Sequence, residues 1–590
     1  MSVDPKKLHG FKAIIISGGP SSVYDKNSPQ GNPELLELGV PVLGICYGMQ
    51  WMNHCLGGIV SPDCLTEYGS TTIKVNPNCP LFAGLNEDQV VLMSHGDTAT
   101  SLAPGFQTCA TSGNMIAGIF SAEKNLYGVQ FHPEVDLTEN GNAILENFLR
   151  KIAKFTGNHT LEDGIKIAID AIQAQAGNEK VLCLVSGGVD SAVTAALLLK
   201  ALPPENVYAI HVDHGLMRLN ESERICETLK EMGLVHLIHV RGQDYFFDTV
   251  IETETGPLGP LTELNDPEKR RNLIGILFVR QVQRIAEELG LDFSKTFWAQ
   301  GTLRPDLIES GNPDISGNAS KIKTHHNDVD LVRQARDRGL VIETNRDWHK
   351  DEVRKVAVML GIPEEIAYRQ PFPGPGLAVR LMGFDGTESV STEQEGKFAK
   401  LLTELAPQFQ GQVVPIKTVG VQGDSRSFRY FAMITGDGLN SDWDTISDLA
   451  KKIPNKLDFI NRVVFRLNKK KSDAPMRPFS MSISRENTEL LRQVDARISS
   501  FLANNRKIGQ SFAVLLPFGS LDQDGKPRHS IVIRAIVTND FMTGRPARIG
   551  GEIPLDQINA LVEEIVRDFP QIDAIAYDFT EKPPATIEWM

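Results

Sequence analysis

Residues 180–191 read KVLCLVSGGVDS and decide the fold of the middle of the chain. Lys180 to Val185 is a short apolar run typical of a buried strand in a parallel sheet. Ser186 to Ser191 is a glycine-rich turn, and Ala192 to Leu202 is a strongly helical stretch. Such a turn points several backbone N–H groups at one place, with the helix dipole behind them, so it suits a phosphate chain. An ordinary tight turn is the alternative, and no Gly-Lys-Ser/Thr follows to make a Walker loop.

A second strand is predicted at Val207 to Val212, before Asp213-His214-Gly215. With serines flanking the turn and Asp190 inside it, the segment resembles the pyrophosphate-binding loop of the N-type ATP pyrophosphatases. The resemblance implies a doubly wound parallel sheet and cleavage of ATP between its α and β phosphates. The implied ATP-binding residues are Ser186, Gly187, Gly188, Val189, Asp190, Ser191 and Ala192. Mg²⁺ is expected on the leaving pyrophosphate, held mostly by phosphate oxygens, with Asp190 as the candidate protein ligand.

Near the start of the chain, a glycine-flanked turn places Cys46 between an apolar run, Val42 to Ile45, and a helical stretch. This is the pattern of a nucleophile turn. Further buried parallel strands are predicted at Ala13 to Ile16 and Tyr127 to Phe131. A lone cysteine is by default a small buried hydrophobe. A thiol just ahead of a helix is, however, expected to favour the thiolate.

A His-Pro-Glu sequence supplies the other parts of a triad, because His132 could accept the thiol proton and Glu134 could orient the imidazole. Together with the upstream Ser17-Gly18-Gly19-Pro20, these motifs resemble the class I glutamine amidotransferases. The resemblance implies Cys46, His132 and Glu134 as catalytic residues. It also implies oxyanion-hole roles for Gly19 and Tyr47, and glutamine-binding roles for Gln50, Ser94, His95, Gly96 and Asp97. An ordinary polar loop is the alternative for the glutamine-binding residues.

The amidotransferase family normally opens with a strand and helix ahead of the Gly-Gly-Pro strand, and this chain lacks that unit. An unpaired sheet edge is then expected. We therefore predict that the triad residues are in place but that glutaminase activity is reduced.

Four later stretches distinguish among the enzymes that share the pyrophosphatase loop, and together they resemble GMP synthetases of the eukaryotic type. They are residues 300–310, 323–328, 349–354 and 369–377. The resemblance implies that xanthosine monophosphate (XMP) is adenylated by ATP and then aminated to GMP with ammonia from glutamine. Asp213-His214-Gly215 departs from the usual Asp-Asn-Gly and is interpreted as a tolerated change near the adenosine. Lys350 and Arg304 are candidates to neutralise phosphate charge, and the adjacent His325 and His326 do not make a metal site.

The last 200 residues contain an internal repeat, at about 412–468 and 511–590, each predicted as strand, strand, helix, strand. Bacterial GMP synthetases carry one such α+β dimerisation-type unit and pair it across a dimer. Two in tandem predict an internal pseudo-dimer and a monomeric protein, with a homodimer as the alternative. By the same resemblance, XMP is bound by Arg271, Asp424, Gln493, Lys582, Ile587 and Glu588. A frayed tail is the alternative for the last three, and Met590 stands where the family has Glu.

The composition limits the partners and the cellular location that can be expected. The 590 residues carry a net charge of -14, which argues against nucleic acid as a partner. Seven widely spaced cysteines predict free thiols and a cytosolic location. None of the apolar runs is long enough to predict a membrane span. We predict an amidotransferase domain at 1–155, an ATP pyrophosphatase domain with a lid at 156–383, and an XMP-binding domain at 384–590.

The alternatives to this prediction are another amidotransferase with an ATP pyrophosphatase loop, and a non-catalytic regulatory homologue. The first leaves the 369–377 stretch and the C-terminal tail unexplained. Pyrophosphate release that depends on XMP, with free ammonia as the nitrogen donor, separates all three.

Overall fold

The computed structural model describes most of the chain. The described residues are 8, 10–19, 21–26, 28–62, 67–135, 137–157, 159–254, 256–292, 294–303, 335–370, 372–422, 425–469, 475–503, 505, 507–538, 544–582, 584–586 and 588–590. The contacts divide the chain into two compact units, Met1–His159 and Thr160–Met590. Among the described residues, no helix has both the length and the apolar character that crossing a bilayer requires.

The first unit is built around a mixed sheet of seven strands in the order β1-β2-β9-β8-β7-β4-β5. Its elements are β1 (Ile14–Ile16), β2 (Val42–Ile45), α1 (Tyr47–Cys55), β3 (Ile59–Ser61), β4 (Glu67–Val75), β5 (Asp88–His95), β6 (Thr98–Ser101), β7 (Gln107–Ser112), β8 (Met115–Ser121), β9 (Leu126–Val129) and α2 (Gly141–Glu146). The three predicted strands β1, β2 and β9 do pair in parallel. β1 lies at the sheet edge, and β2 and β9 are completely buried.

The second unit begins with an all-parallel sheet of five strands in the order β12-β11-β10-β15-β16. Its elements are α3 (Leu161–Ala176), β10 (Val181–Leu184), α4 (Val189–Ala201), β11 (Val207–Asp213), α5 (Glu221–Glu231), β12 (His236–Arg241), α6 (Gln243–Asp248), β13 (Ile251–Thr253), β14 (Gly256–Leu258), α7 (Pro267–Glu288), β15 (Phe297–Gln300), β16 (Val341–Glu343), α8 (Lys350–Met359) and α9 (Glu364–Ala367). The predicted helix start at Ala192 was wrong by three residues, because Gly188 caps α4 and Val189 already belongs to its first turn.

A second sheet follows, with the strand order β17-β18-β19-β25-β23-β21. The helices and strands of this part of the chain are α10 (Thr392–Leu405), β17 (Gln410–Gln422), β18 (Ser425–Thr435), α11 (Trp443–Lys456), β19 (Ile460–Arg466), β20 (Arg477–Pro478), α12 (Arg485–Ala503), β21 (Ile508–Leu516), β22 (Phe518–Gly519), β23 (His529–Val537), β24 (Arg545–Pro546), α13 (Leu555–Asp568) and β25 (Ile572–Asp578). β19 and β25 pair antiparallel at its centre. On each side of them, one strand pairs in parallel and the next antiparallel.

One hydrophobic core joins the two sheets of the second unit. It contains Leu182 and Ile210 of the parallel sheet together with Phe465 and Ile533 of the second sheet. The contacts therefore show no separation at the predicted boundary between 383 and 384. Where one functional domain ends and the next begins within this unit stays a prediction.

Candidate active sites

Cys46 lies in the tight turn between β2 and α1 with a positive φ of 50°. Its amide donates to the Val129 carbonyl at 2.8 Å, which ties the turn to β9. A Cβ on Gly44 would lie 2.7 Å from the Gly48 backbone, and a Cβ on Gly48 would lie 2.2 Å from the Ile16 carbonyl oxygen. The two flanking glycines are therefore required by space, and they allow the strained conformation of the cysteine.

The structure brings Cys46, His132 and Glu134 together. His132 Nδ1 lies 2.7 Å from Glu134 Oε1. Hydrogen bonds with Cys46 and then with Glu134 raise the pKa of His132 to about 10, against the opposing effect of burial. The imidazole is therefore protonated at neutral pH and carries a positive charge beside the sulfur. Gly18 closes over the pair, because a Cβ there would lie 3.0 Å from His132 Cε1 and 3.4 Å from Cys46 Cβ.

The other predicted amidotransferase residues lie around Cys46, and several of them contact one another. Gly19 lies against Tyr47, since a Cβ on Gly19 would be 3.9 Å from Tyr47 Cβ. The Ser94 carbonyl lies 3.8 Å from Cys46 Sγ. Gln50 Nε2 donates to the Asp97 carbonyl at 2.8 Å. Gln50 is buried, so its amide holds the loop that carries Asp97.

The predicted loop residues after β5 differ in how their side chains are used. Gly96 is the bend between β5 and β6. His95 is buried, with Nδ1 3.0 Å from the Asp97 carbonyl and Nε2 3.5 Å from a Glu67 carboxylate oxygen. Ser22 donates to the Asp97 carboxylate at 2.5 Å. The His95 side chain therefore supports the loop from inside, a role that the sequence did not indicate.

In the second unit, the glycine turn lies at the carboxyl end of β10. Gly187 has a φ of 89°, and a Cβ on it would lie 2.2 Å from Ile225 Cδ1. Gly188 has open space, because the nearest atom to a Cβ there is Ser186 Oγ at 3.6 Å. Ser191 Oγ donates to the Gly188 carbonyl at 3.0 Å. The turn is thus braced by its own serines, and the first turn of α4 starts from it.

Asp190, in that first helical turn, is held by two distant segments. Lys350 Nζ lies 2.5 Å from Asp190 Oδ2. The Asn345 side-chain amide donates to the Asp190 carbonyl at 3.0 Å. Asp190 Oδ1 is buried and has no hydrogen-bond partner among the described residues. The two carboxylate oxygens of Asp190 therefore differ, because only Oδ2, within the described ranges, lies beside a positive charge.

Two arginines add positive charge around the turn. Arg354 follows Lys350 by one turn on α8; burial lowers the pKa of its guanidinium, and the charge of Asp190 opposes that shift. Arg369 Nη1 donates to the Gly187 carbonyl at 3.4 Å, and its Nη2 lies 2.9 Å from a carboxylate oxygen of buried Glu221. A phosphate chain at the turn would meet Lys350 and these guanidiniums together.

The sequence did not single out Arg354, Arg369, Glu221 or Asn345 as site residues. The first two lie in stretches that carry the family resemblance, and that was the available signal. Glu221 and Asn345 reach the turn only through tertiary contacts, so no local pattern marks them. Arg304, which the sequence did propose, lies outside the described residues.

His214 occupies the position where the resemblance leads one to expect Asn. Its Nδ1 accepts from the Leu216 amide at 3.1 Å, and its Nε2 lies 3.2 Å from the Gly374 carbonyl. A neutral imidazole with its proton on Nε2 makes both contacts. Like an Asn side chain, it offers one acceptor and one donor, which explains why His fits at this strand end.

The proposed XMP residues are partly brought together. Arg271 Nη2 lies 2.7 Å from Glu588 Oε2 and 2.6 Å from a main-chain oxygen of Met590, and Arg271 Nη1 also bonds to Glu268. Trp589 is buried, so the tail is not frayed. Arg271 and the tail therefore form one local site.

The remaining XMP candidates are Lys582, Gln493, Asp424 and Ile587. Lys582 exchanges two main-chain hydrogen bonds of 2.9 Å with Gly544. Gln493 is an exposed residue of α12, and its side-chain amide donates to Glu489 at 2.9 Å. Asp424 and Ile587 lie outside the described residues.

Comparison with known families assigns most parts of the chain. The family described as "Glutamine amidotransferase class-I" matches residues 2–152, "NAD synthase" matches 161–255, and "GMP synthase C terminal domain" matches 500–589.

Curated relatives extend these matches to the full chain. "Probable GMP synthase (glutamine-hydrolyzing)" of Caenorhabditis elegans is 39% identical over 654 residues, covering 99% of this chain and 87% of that protein. "GMP synthase (glutamine-hydrolyzing)" of Dictyostelium discoideum is 39% identical, covering 100% of this chain and 89% of that protein. The enzyme of the same name from the bacterium Caldicellulosiruptor saccharolyticus is 40% identical over 78% of this chain and 89% of its own length.

Proposed function

The chain belongs to the family of glutamine-hydrolysing GMP synthases, with a class I glutamine amidotransferase domain and an ATP pyrophosphatase domain, and from this premise we propose how its residues carry out the reaction. XMP is adenylated by ATP and then aminated to GMP, in guanine nucleotide biosynthesis, with ammonia from glutamine. The observation that carries the proposal is the glycine turn after β10, surrounded by Lys350, Arg354 and Arg369.

In the amidotransferase step, Cys46 Sγ attacks the side-chain amide carbon of glutamine. The C–N bond breaks, and the leaving nitrogen takes a proton from the His132 imidazolium and departs as ammonia. Water then hydrolyses the thioester and releases glutamate. Gly19 lies close to the Tyr47 side chain, and the backbone N–H groups of these two residues are the proposed donors to the developing oxyanion.

In the synthetase step, the C2 oxygen of XMP attacks the α-phosphorus of ATP and the bond to the β-phosphate breaks. Lys350 and Arg354 stabilise the charge that develops on the pyrophosphate. Ammonia then attacks C2 of the purine, and AMP leaves with its oxygen to yield GMP. Because ammonia in water at neutral pH is mostly protonated, a protected supply from the amidotransferase is an advantage.

The residues at the turn fit Mg²⁺ bound mainly by substrate oxygens. Asp190 Oδ1 is buried without a partner in the described part of the chain. No group of three or more His, Cys, Asp or Glu side chains among the described residues could hold a metal ion by itself. Asp190 is therefore the proposed protein ligand, and the bound ion would neutralise charge on the pyrophosphate.

The tail is the proposed binding site for XMP. The Arg271 guanidinium suits a phosphate through its fork of donors, and Glu588 beside it suits the base or ribose. Lys582 is proposed for the phosphate, and Asp424, Gln493 and Ile587 complete the set that the family resemblance implies.

We also propose that the second sheet is an internal pseudo-dimer. Its two halves, β17-β18-α11-β19 and β21-β23-α13-β25, have the same order of elements and meet through β19 and β25. Because the self-complementary edge is already paired within the chain, we propose a monomer. The described cysteines are all free thiols, which supports a cytosolic location.

The test is the formation of GMP and AMP from XMP and MgATP, with glutamine or ammonium as the nitrogen donor. Cys46→Ser should lower the glutamine-dependent rate by roughly 10³-fold or more, because the nucleophile is lost. It should leave the ammonium-dependent rate within about two-fold, since that route needs no thioester. Wild-type protein that leaves XMP unchanged in ammonium salt would refute the proposal.

A further inference from the structure

Arg462, on the central strand β19, is completely buried and contacts several groups of the tail. Its Nη1 donates to Asp578 Oδ2 at 3.0 Å. Its Nη2 donates to the Glu588 carbonyl at 2.7 Å and to the Val419 carbonyl at 2.9 Å. The same Nη2 lies 3.1 Å and 3.2 Å from the carbonyl and hydroxyl oxygens of Thr586. One side chain therefore joins the tail to two strands of the sheet.

The aromatic residue next to Glu588 is held by the same guanidinium. Arg462 lies over the Trp589 ring, with 5.0 Å from Cζ to the ring centroid. The Phe431 ring meets Trp589 edge-on at 5.3 Å, and the Val419 amide donates to the Trp589 carbonyl at 3.0 Å. The main-chain carbonyls of Glu588 and Trp589 are thereby both held by hydrogen bonds.

The surrounding charge is unusual for a residue that only supports the fold. Arg534 Nη1 lies 2.7 Å from the same Asp578 oxygen, so two buried guanidiniums share one carboxylate. Replacing such buried ionic clusters by apolar residues is often neutral or stabilising, so stability alone gives little reason to keep one. What distinguishes Arg462 is that its Nη2 lies within hydrogen-bond distance of tail oxygens of Thr586 and Glu588.

We infer that Arg462 is a positioning residue for XMP, because its contacts with Thr586, Glu588 and Trp589 hold the tail so that the Glu588 carboxylate faces Arg271. This inference rests on the proposed function, in which Arg271 and Glu588 bind XMP. Lysine cannot replace Arg462, since one ammonium lacks the planar fork that reaches Asp578 and the tail carbonyls together. Small displacements of binding groups have large effects on reactivity, of order 10²-fold for about 1 Å.

The test compares Arg462→Lys with Arg466→Lys, assayed with ammonium as the nitrogen donor. Arg466 lies on the same strand, is also buried, and bonds to Asn468, Lys469 and Asp573. Both variants lose a buried arginine, so both should lower the melting temperature. Only Arg462→Lys should raise KM for XMP, by about 10- to 100-fold, with KM for ATP and the glutaminase rate within about two-fold of wild type.

An equal rise in KM for XMP in both variants, or no rise in Arg462→Lys, would overturn the inference. If Arg462→Lys does not fold, Thr586→Val provides the second test. It removes a hydroxyl that lies between Arg462 and the Glu588 carbonyl, 2.5 Å from that carbonyl, without altering a buried charge. A several-fold rise in KM for XMP is expected there, and an unchanged KM contradicts the inference. Wild-type protein that makes no GMP would instead refute the proposed function, so the two failures are distinguishable.

Discussion

His132 is the residue whose ionisation most directly affects the amidotransferase site. Its hydrogen bonds with Cys46 and Glu134 raise its pKa to about 10, against about 6.5 in an unfolded chain. The native state therefore binds this proton more tightly than the unfolded state does. The resulting contribution to the free energy of unfolding is complete below about pH 6.5 and is lost as the pH rises toward 10.

We predict that Glu134→Gln moves the alkaline limb of glutaminase activity toward neutral pH. The substitution removes one of the two hydrogen bonds that raise the pKa of His132, so the imidazolium should deprotonate about one pH unit earlier. The measurement is kcat/KM for glutamate release between about pH 6 and pH 11. Asp88→Asn, at an exposed ion pair with Lys74, is the control. An alkaline limb that is unchanged in Glu134→Gln contradicts the assignment.

The sequence predicted which residues lie together where the motifs are short. Cys46, His132 and Glu134 lie in short motifs, and the structure brings them together. The sequence did not identify the contact of the Glu67 carboxylate with His95, or that of Glu221 with Arg369, because those pairs depend on how distant segments pack. Supporting residues of this kind are not marked by any local sequence pattern.

At the scale of elements, both sites use a strand, a glycine turn and a helix, but their glycines are required for different reasons. At β2–α1 the requirement is space, because α1 packs against the Ile16 carbonyl through Gly48. At β10–α4 it is also backbone conformation, because Gly187 has a φ of 89°. Alanine at each position should therefore impair one activity and leave the other domain's chemistry intact.

Gly48→Ala should lower glutaminase activity by roughly 10²-fold, because the added Cβ must push α1 and the Cys46 turn away from the neighbouring strand. Alanine is otherwise the better helix former, so a loss reports the clash. Gly396→Ala in α10, where a Cβ would meet open space, is the matched control and should keep full activity. Glutamate release and ammonium-dependent GMP formation are measured in parallel. Wild-type glutaminase activity in Gly48→Ala would show that the close approach is absent.

Gly187→Ala should impair the synthetase with either nitrogen donor, because alanine is strained at this φ and its Cβ would meet Ile225. Gly188→Ala has room for the added methyl group and should retain more activity. We expect at least a roughly 10-fold difference in XMP-dependent pyrophosphate release between the two, the strain amounting to about 1–3 kcal/mol. Equal rates in the two variants would contradict the structure of the turn.

Element positions were predicted to within a few residues where apolar runs end at glycine or proline. β2 matches its prediction, whereas α4 begins earlier than predicted because Gly188, not Ser191, ends the turn. The first strand of the second repeat, β21, ends at Leu516, because Pro517 has no N–H group to continue the hydrogen-bonded pairing. The central pairing of β19 with β25 could not be predicted, since register between distant strands is not encoded locally.

At the scale of the whole molecule, one hydrophobic core joins the two sheets of the second unit, with Leu182 of β10 and Phe465 of β19 among its members. Gln370, in the segment after α9, contacts the second sheet, because its side-chain oxygen accepts from both the amide and the hydroxyl of Ser511 on β21, at 2.7 Å and 2.9 Å. Gln370 directly follows Arg369, which bonds to the Gly187 carbonyl. The turn and the second sheet are thus connected through two adjacent side chains.

The central claim is that the turn at 186–191 binds ATP so that XMP, and not water, attacks its α-phosphorus. The most direct measurement is exchange of labelled pyrophosphate into ATP by the wild-type protein with Mg²⁺, in the absence of glutamine and ammonium. We predict exchange that requires XMP, because adenylation is reversible until ammonia arrives. Exchange that proceeds without XMP, or release of orthophosphate in place of pyrophosphate, would contradict the claim.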